Sequence, residues 1–413
     1  MPTIEGETLR GWRRSLGWDV TTTARHLRHA ARETGQAVAA PHALVKMIRG
    51  WERGDHELSE RYELLYRAIG FVPPAALDTG NVDEEEDRVR RREFGIAAMG
   101  LLVGTLAKPA KVPSTVSATQ VHDLRLLADN MWTRDWTVGG TALLDEATRH
   151  YAAVRSMLDL SAYSGTVGSE LQELAADLAA SAGFIAFDAG DQRLARGLFG
   201  ESALLTGNDP LLTAHTYALL ALQSTSLATL TLDRGLAREA LRFLGYAADA
   251  ARHEPSPRLH ATIAMRRATA SALLDDDVAV RRYIAAARRE LDRGDHPADP
   301  HWASFVTESE VTAHEAMARL SQGKAELAVR LFRDVLADPD LPPRNRALYQ
   351  ARLAMSLHAD GDHAEAFAEG LRVLATLQGP VKSARTLHQL RPVRESAPPG
   401  NEFAARFDAA LAS

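Results

Sequence analysis

The stretch Pro41–Gly54, PHALVKMIRGWERG, sets Lys46, Arg49 and Arg53 against a single acid, Glu52. Its apolar residues Leu44, Ile48 and Trp51 recur at i, i+4 and i+7, which predicts one buried face of a helix. Pro41 suits the first turn, where its missing N–H costs nothing. The same winding leaves His42, Lys46, Arg49 and Arg53 pointing outward. Yet the whole chain of 413 residues has a formal net charge of −6. Residues 10–53 hold nine Arg/Lys against Asp19, Glu33 and Glu52, a balance of +6, so the remainder carries −12. Such asymmetry points to a small anion-binding module attached to an acidic body. His26, His29, His42 and His56 lie in or beside this segment and add charge below neutral pH.

The neighbouring residues supply the rest of a four-helix unit. ETLRGWRRSLGW places Leu9, Trp12 and Leu16 on one face. Asp19 is a candidate cap for VTTTARHLRHAARE, whose inner face is Val20, Ala24, Leu27 and Ala31. SERYELLYRAIG closes the unit, with Ser59 as cap and Leu64, Leu65 and Ile69 inside. A basic stripe on a short helix, steadied by a preceding helix, is what phosphate contact and major-groove entry require. A solvated helix face is the other reading of the same charges.

The order of these residues resembles the helix-turn-helix of the lambda-repressor-like (xenobiotic-response-element, XRE) family over roughly residues 8–71. The resemblance is carried by LRGWRRSLGWDVTTTARHL followed by ALVKMIRGWERG, with Trp51-Glu52-Arg53-Gly54 ending the recognition helix. It implies double-stranded DNA as partner, with His42, Lys46, Arg49 and Arg53 on the DNA-facing side. Thr21, Thr22 and Arg25 would then approach the backbone from the second helix. The segment between helices two and three is longer than the family's. Gly50 and DHEL (Asp55–Leu58) stand where more cations and a Pro are common, which implies modest affinity.

Beyond Pro73-Pro74 and the acidic run Asp83–Asp87 comes RRREFGIAAMGLLVGTLA, which imitates a twin-arginine export signal. It follows a predicted folded domain and its apolar run is shorter than the roughly 20 residues of a membrane span, so a packed or dimerising helix is expected. The start of the chain, MPTIEGETLRGW, has no apolar signal core, and the absence of Cys fits a reducing cytoplasm. No membrane partner is expected.

From about Thr119 the pattern is continuously helical. A small residue, a bulky one four on and a small or β-branched one three further recurs. The copies are Ala195/Phe199/Ser202, Ala240/Leu244/Ala247, Ala279/Tyr283/Ala286, Ala328/Phe332/Val335 and, more weakly, Ala366/Gly370/Val373. They are spaced 45, 39, 49 and 38 residues apart. Gly-Asp or Gly-Lys turns precede three of them. The pattern resembles tetratricopeptide (TPR) repeats with a longer, irregular period; an ordinary helical bundle is the alternative. Together, MWTRDWTVGG, FDAGDQRLAR and GPVKSARTLHQL resemble the helix-turn-helix-plus-TPR regulators of actinomycetes, whose architecture is related to peptide-responsive (RRNPP-type) regulators.

The expectation is therefore an all-α chain: an N-terminal helix-turn-helix domain followed by a TPR-like α-solenoid. The boundaries are 1–74 for the DNA-binding domain, 75–118 for a linker with an apolar helix, 119–395 for the repeats and 396–413 for a tail. Candidate ligand-facing residues on inner helices are His215, Tyr217, Arg266, Arg267, Trp302, Tyr349 and Arg352, each of which has a structural alternative. No phosphate loop, HExxH, GxSxG or dinucleotide turn is present, so neither catalysis nor a cofactor is expected. His26/His29 and Asp275–Asp277 are weak metal candidates, read respectively as polar surface and a helix cap. The function expected is a homodimeric, cytoplasmic transcriptional regulator sensing a peptide, small molecule or partner protein. An interaction scaffold without sequence-specific DNA binding is the rival.

Overall fold

Alanine, leucine and arginine favour helix strongly, and the chain follows that preference. The computed structural model describes residues 6–15, 20–33, 38–56, 58–69 and 112–412. Nineteen α-helices and no strand occur among them, so the chain is all-α. Two units separate, Met1–Phe94 and Gly95–Ser413. The apolar segment at 96–107, the acidic run, Asp19 and Leu16 lie outside the described residues. So do the side chains of Trp12, Thr22 and His29.

The first unit contains α1 (Gly6–Ser15), α2 (Val20–Glu33), α3 (Pro41–Arg53) and α4 (Glu60–Ala68). Leu9, Ala24, Leu27, Ala31, Leu44, Ile48 and Trp51 form its core, as the helical period requires. In α4 the inner stripe differs from the expected one. Tyr62, Leu65 and Tyr66 are buried, whereas Leu64 is 52% exposed. The two tyrosines meet the Trp51 ring at 4.8 and 6.1 Å, and that aromatic contact sets the helix's rotation.

In the second unit, residues 112–117 already join the packed helices: Val116 donates to the Ala162 carbonyl at 3.0 Å, and Ala162 to that of Ser114 at 2.9 Å. Helices then follow in consecutive pairs: α5 (Ala118–Val138) with α6 (Gly140–Leu160), and α7 (Gly165–Asp188) with α8 (Gln192–Leu205). Next come α9 (Pro210–Thr231) with α10 (Arg234–Ala250), and α11 (Pro257–Ala272) with α12 (Asp277–Leu291). The last pairs are α13 (Glu308–Ser321) with α14 (Ala325–Leu336), and α15 (Pro343–Asp360) with α16 (His363–Gln378). Sharp turns separate partners. Gly190, Gly323 and Gly361 take φ of +90°, +72° and +93°, and Asp191 and Asp362 cap the helices that follow.

The recurring triplet sits on the second helix of each pair after the first and is buried in four copies. In α12 the register is one residue later than expected. Val280, Ile284 and Ala287 are buried, while Tyr283 stays near the surface beneath the guanidinium groups of Arg267 and Arg282. A phenol keeps its hydroxyl hydrated there, and the isoleucine fills the gap. In the last copy Gly370 stands where the bulky residue is expected, and Phe403 takes its place. A Cβ on Gly370 would lie 2.4 Å from that ring. Phe403 belongs to α19 (Glu402–Ala412), so the expected tail at 396–413 includes a packed helix. It follows two short helices, α17 (Ala384–Gln389) and α18 (Arg391–Glu395).

The array closes on itself. Lys382 donates its backbone N–H to Val138 at 2.7 Å and accepts from Thr141 at 3.1 Å. The carbonyl of Lys382 comes so near Gly139, where φ is +78°, that a Cβ there would be 2.5 Å away. Thus α15 and α17, near the end of the unit, lie against α5 and α7 at its start.

Candidate functional site

Two features bear on the expectations about function: the outer face of α3 and an internal cavity of the second unit. On α3, His42, Lys46 and Arg49 are exposed, and neither Lys46 nor Arg49 has an ion-pair partner among the described residues. Thr21 and Arg25 of α2 are exposed as well. Arg53 is exposed but engaged, its Nε and Nη2 donating to Asp55 at 2.8 and 2.6 Å. That hydrogen bond holds the Asp55 carboxyl below its ordinary pKa. The helix stops at Gly54 in the left-handed region, φ +79°, whose N–H donates to the Trp51 carbonyl at 3.1 Å.

Glu52 has a different role from its neighbours. It is buried, and Arg13 of α1 grips its carboxylate through Nε at 2.5 Å and Nη2 at 2.8 Å. Arg10 adds a bond to the Glu52 carbonyl at 2.7 Å. A bidentate buried pair of this kind fixes α3 against α1 and leaves the cationic face free. Three of the segment's positive charges thereby have assigned partners: Arg10, Arg13 and Arg53.

The internal cavity, about 70 Å³, is walled by α5, α7, α9, α11, α13, α15 and α17. A neighbouring space of about 40 Å³ shares Leu222, Arg266, His314, Met317 and Arg352 with it. The sequence motifs MWTRDWTVGG, FDAGDQRLAR and GPVKSARTLHQL converge beside it. Asp135 and Asp188 are fully buried. Arg344 pairs with Asp135 at 3.1 Å, Arg385 with Asp188 at 2.8 Å, and Gly140 donates its backbone N–H to Asp188 at 2.9 Å. Burial alone would raise the Asp188 carboxyl; Arg385 and Arg344 hold it below its ordinary pKa. At Asp135 burial prevails and the shift is upward. Both guanidinium groups also lie over the Phe184 ring, at 5.1 and 5.6 Å.

Farther in, Tyr349 donates its hydroxyl to buried Glu310. The His314 Nδ1 meets Thr269 Oγ1 at 2.8 Å, and burial with nearby Arg352 and Arg266 pushes that imidazole down to about 3. His215 stacks on Trp302 with ring centroids 3.7 Å apart, and both its nitrogens are without hydrogen-bond partners among the described residues. Burial keeps it neutral. Trp302 comes from the connection 292–307, which Asp299 ties to α11 by accepting from Ser256 at 2.5 Å.

Five of the seven inner residues named from sequence therefore line one cavity: His215, Arg266, Trp302, Tyr349 and Arg352. Tyr217 and Arg267 do not. Tyr217 is buried against Phe243 and Tyr246, and Arg267 donates to the Leu244 carbonyl at 3.0 Å. Both hold neighbouring helices together. Sequence reasoning missed Arg344, Asn345, Glu310, His314 and Arg385. Asn345 was within reach, because Asn345, Tyr349 and Arg352 share the i, i+4, i+7 spacing. The aspartates at 275–277 are taken by protein partners: Asp275 by Arg234, Asp277 by Arg319 and Lys324, while Asp276 caps α12. Among the described residues no helix is long and apolar enough to cross a membrane. Comparison with models of known protein families and with curated protein sequences finds no match.

Proposed function

We propose that the chain is a cytoplasmic DNA-binding transcriptional regulator. Its first unit is a lambda-repressor-like (XRE) helix-turn-helix, and its second a TPR-like array that senses an effector and mediates dimerisation. The observation that carries this is the face of α3. Its Trp and Glu are turned inward to fix the helix, while His42, Lys46 and Arg49 stand outward with no acid beside them among the described residues. Phosphates and guanine edges are the partners that such a face suits. In a homodimer two such helices would sit about 34 Å apart, one turn of duplex. An effector in the array would act by shifting that spacing.

Lys46→Ala and Arg49→Ala test the proposal. Fragments of genomic DNA bound by the full chain are titrated against each variant at several salt concentrations. Each substitution is expected to weaken binding by about 1–3 kcal/mol, and loss of a phosphate contact to lower the salt slope by about 1. Undiminished binding by both variants would remove α3 from the DNA interface, and failure of the full chain to retain any fragment would instead support an interaction scaffold.

A further inference from the structure

Four guanidinium groups and three carboxylates meet at the internal cavity, all more than nine-tenths buried: Arg266, Arg344, Arg352 and Arg385 against Asp135, Asp188 and Glu310. Asp135 and Asp188 are taken by Arg344 and Arg385. Glu310 alone remains for Arg266 and Arg352, and it already accepts from Tyr349. Neither guanidinium group makes a hydrogen bond among the described residues, and Nε and Nη1 of Arg266 are sealed from solvent without a partner. An unmatched buried guanidinium is expensive to keep. Burial lowers both groups only to about 10, so they stay charged at neutral pH. The neighbouring imidazoles His215 and His314 are neutral and cancel nothing. With every carboxylate ionised the cluster is still one negative charge short.

We propose that the space between Arg266 and Arg352 binds a short-chain carboxylate, which is the effector of the regulator proposed above and to that extent rests on that reading. One carboxylate supplies the missing charge and two oxygens that suit guanidinium forks. The wall beside the arginines is apolar, formed by Leu222, Met317 and Leu348, and receives a hydrocarbon chain. Size sets the limit. About 70 Å³ is roughly half of a cavity of about 150 Å³ that takes up benzene, which admits a molecule of a few carbons and not an extended peptide. Inorganic phosphate shares the oxyanion chemistry, but it offers nothing to the apolar wall and near neutral pH carries more than one charge.

The full chain is titrated calorimetrically with acetate, pyruvate and butyrate, and separately with inorganic phosphate, at constant ionic strength. Saturable one-to-one binding of at least one carboxylate is expected, weakened tenfold or more in Arg266→Gln and in Arg352→Gln. Met317→Trp fills the space while leaving every charge in place, and it should abolish binding even if an arginine variant fails to fold. Absence of saturable binding by any carboxylate would overturn the site. Saturation by phosphate alone would overturn the ligand class, and binding retained in Met317→Trp would overturn its location. DNA affinity measured with and without the bound carboxylate then separates the two readings. If the affinity does not move, the effector role falls and the site stands. If duplex DNA is ignored throughout, the regulator falls and the carboxylate site again stands.

Discussion

His314 illustrates what burial does to a titratable group. Its imidazole is held near 3, against about 6.5 in the unfolded chain. Below pH 6.5 the unfolded chain therefore takes up a proton that the folded chain refuses. This group's stabilising contribution is complete above pH 6.5 and is lost as pH falls toward 3, at roughly 1.4 kcal/mol per unit. Asp135 and Glu310, whose carboxyls burial raises, tilt stability the opposite way, so the informative quantity is a difference. Between pH 7 and pH 5, urea unfolding should shift by about 2 kcal/mol in favour of His314→Gln relative to the wild type. A constant gap would mean that the ring titrates as it does in water. Single residues of this cavity were partly legible in the sequence. His215, Tyr349 and Arg352 are polar or aromatic positions on helices whose other faces are apolar, and periodicity assigns such positions to an inner surface. The pairing of Asp188 with Arg385 was illegible, because no local pattern links residues 197 apart.

At the scale of elements, the last helical pair lacks its own bulky side chain, and α19 provides one. Phe403 is buried against Gly370, and Phe407 lies 6.1 Å from it, ring to ring. Phe403→Ala should cost about 3–5 kcal/mol, measured by chemical denaturation, with new proteolytic cleavage between residues 396 and 401 as α19 loosens. Unaltered protection there would show that the helix is held by something other than this ring. Helix existence was well signalled by composition, by capping Ser and Asp residues and by the glycine turns. Register was less so. In α12 the adjacent Ala279 and Val280 are both small enough for the same position, so spacing alone did not choose between them. In α4, Leu64 and Leu65 are chemically alike, and only the tyrosines meeting Trp51 decide which one turns inward. The role of Glu52 was hidden for the same kind of reason, since its partner lies on another helix.

For the second unit as a whole, the decisive fact is that α15 and α17, near its end, lie against α5 and α7 at its start. A repeat array in which each pair touches only its neighbours unfolds piecemeal. Here Asp188→Asn would leave Arg385 buried without its carboxylate partner, at a cost of about 3–5 kcal/mol. Hydrogen exchange should then speed up in α5 and in α17 together, although they lie at opposite ends of the unit. Faster exchange confined to α7 would mean that the ends are independent. The closure has a consequence in time as well. A ribosome adding about 5–20 residues per second needs roughly ten to forty seconds to travel from Asp188 to Arg385. Throughout that interval the nascent array lacks its far wall, so no unfinished copy of the protein can hold a small molecule inside it.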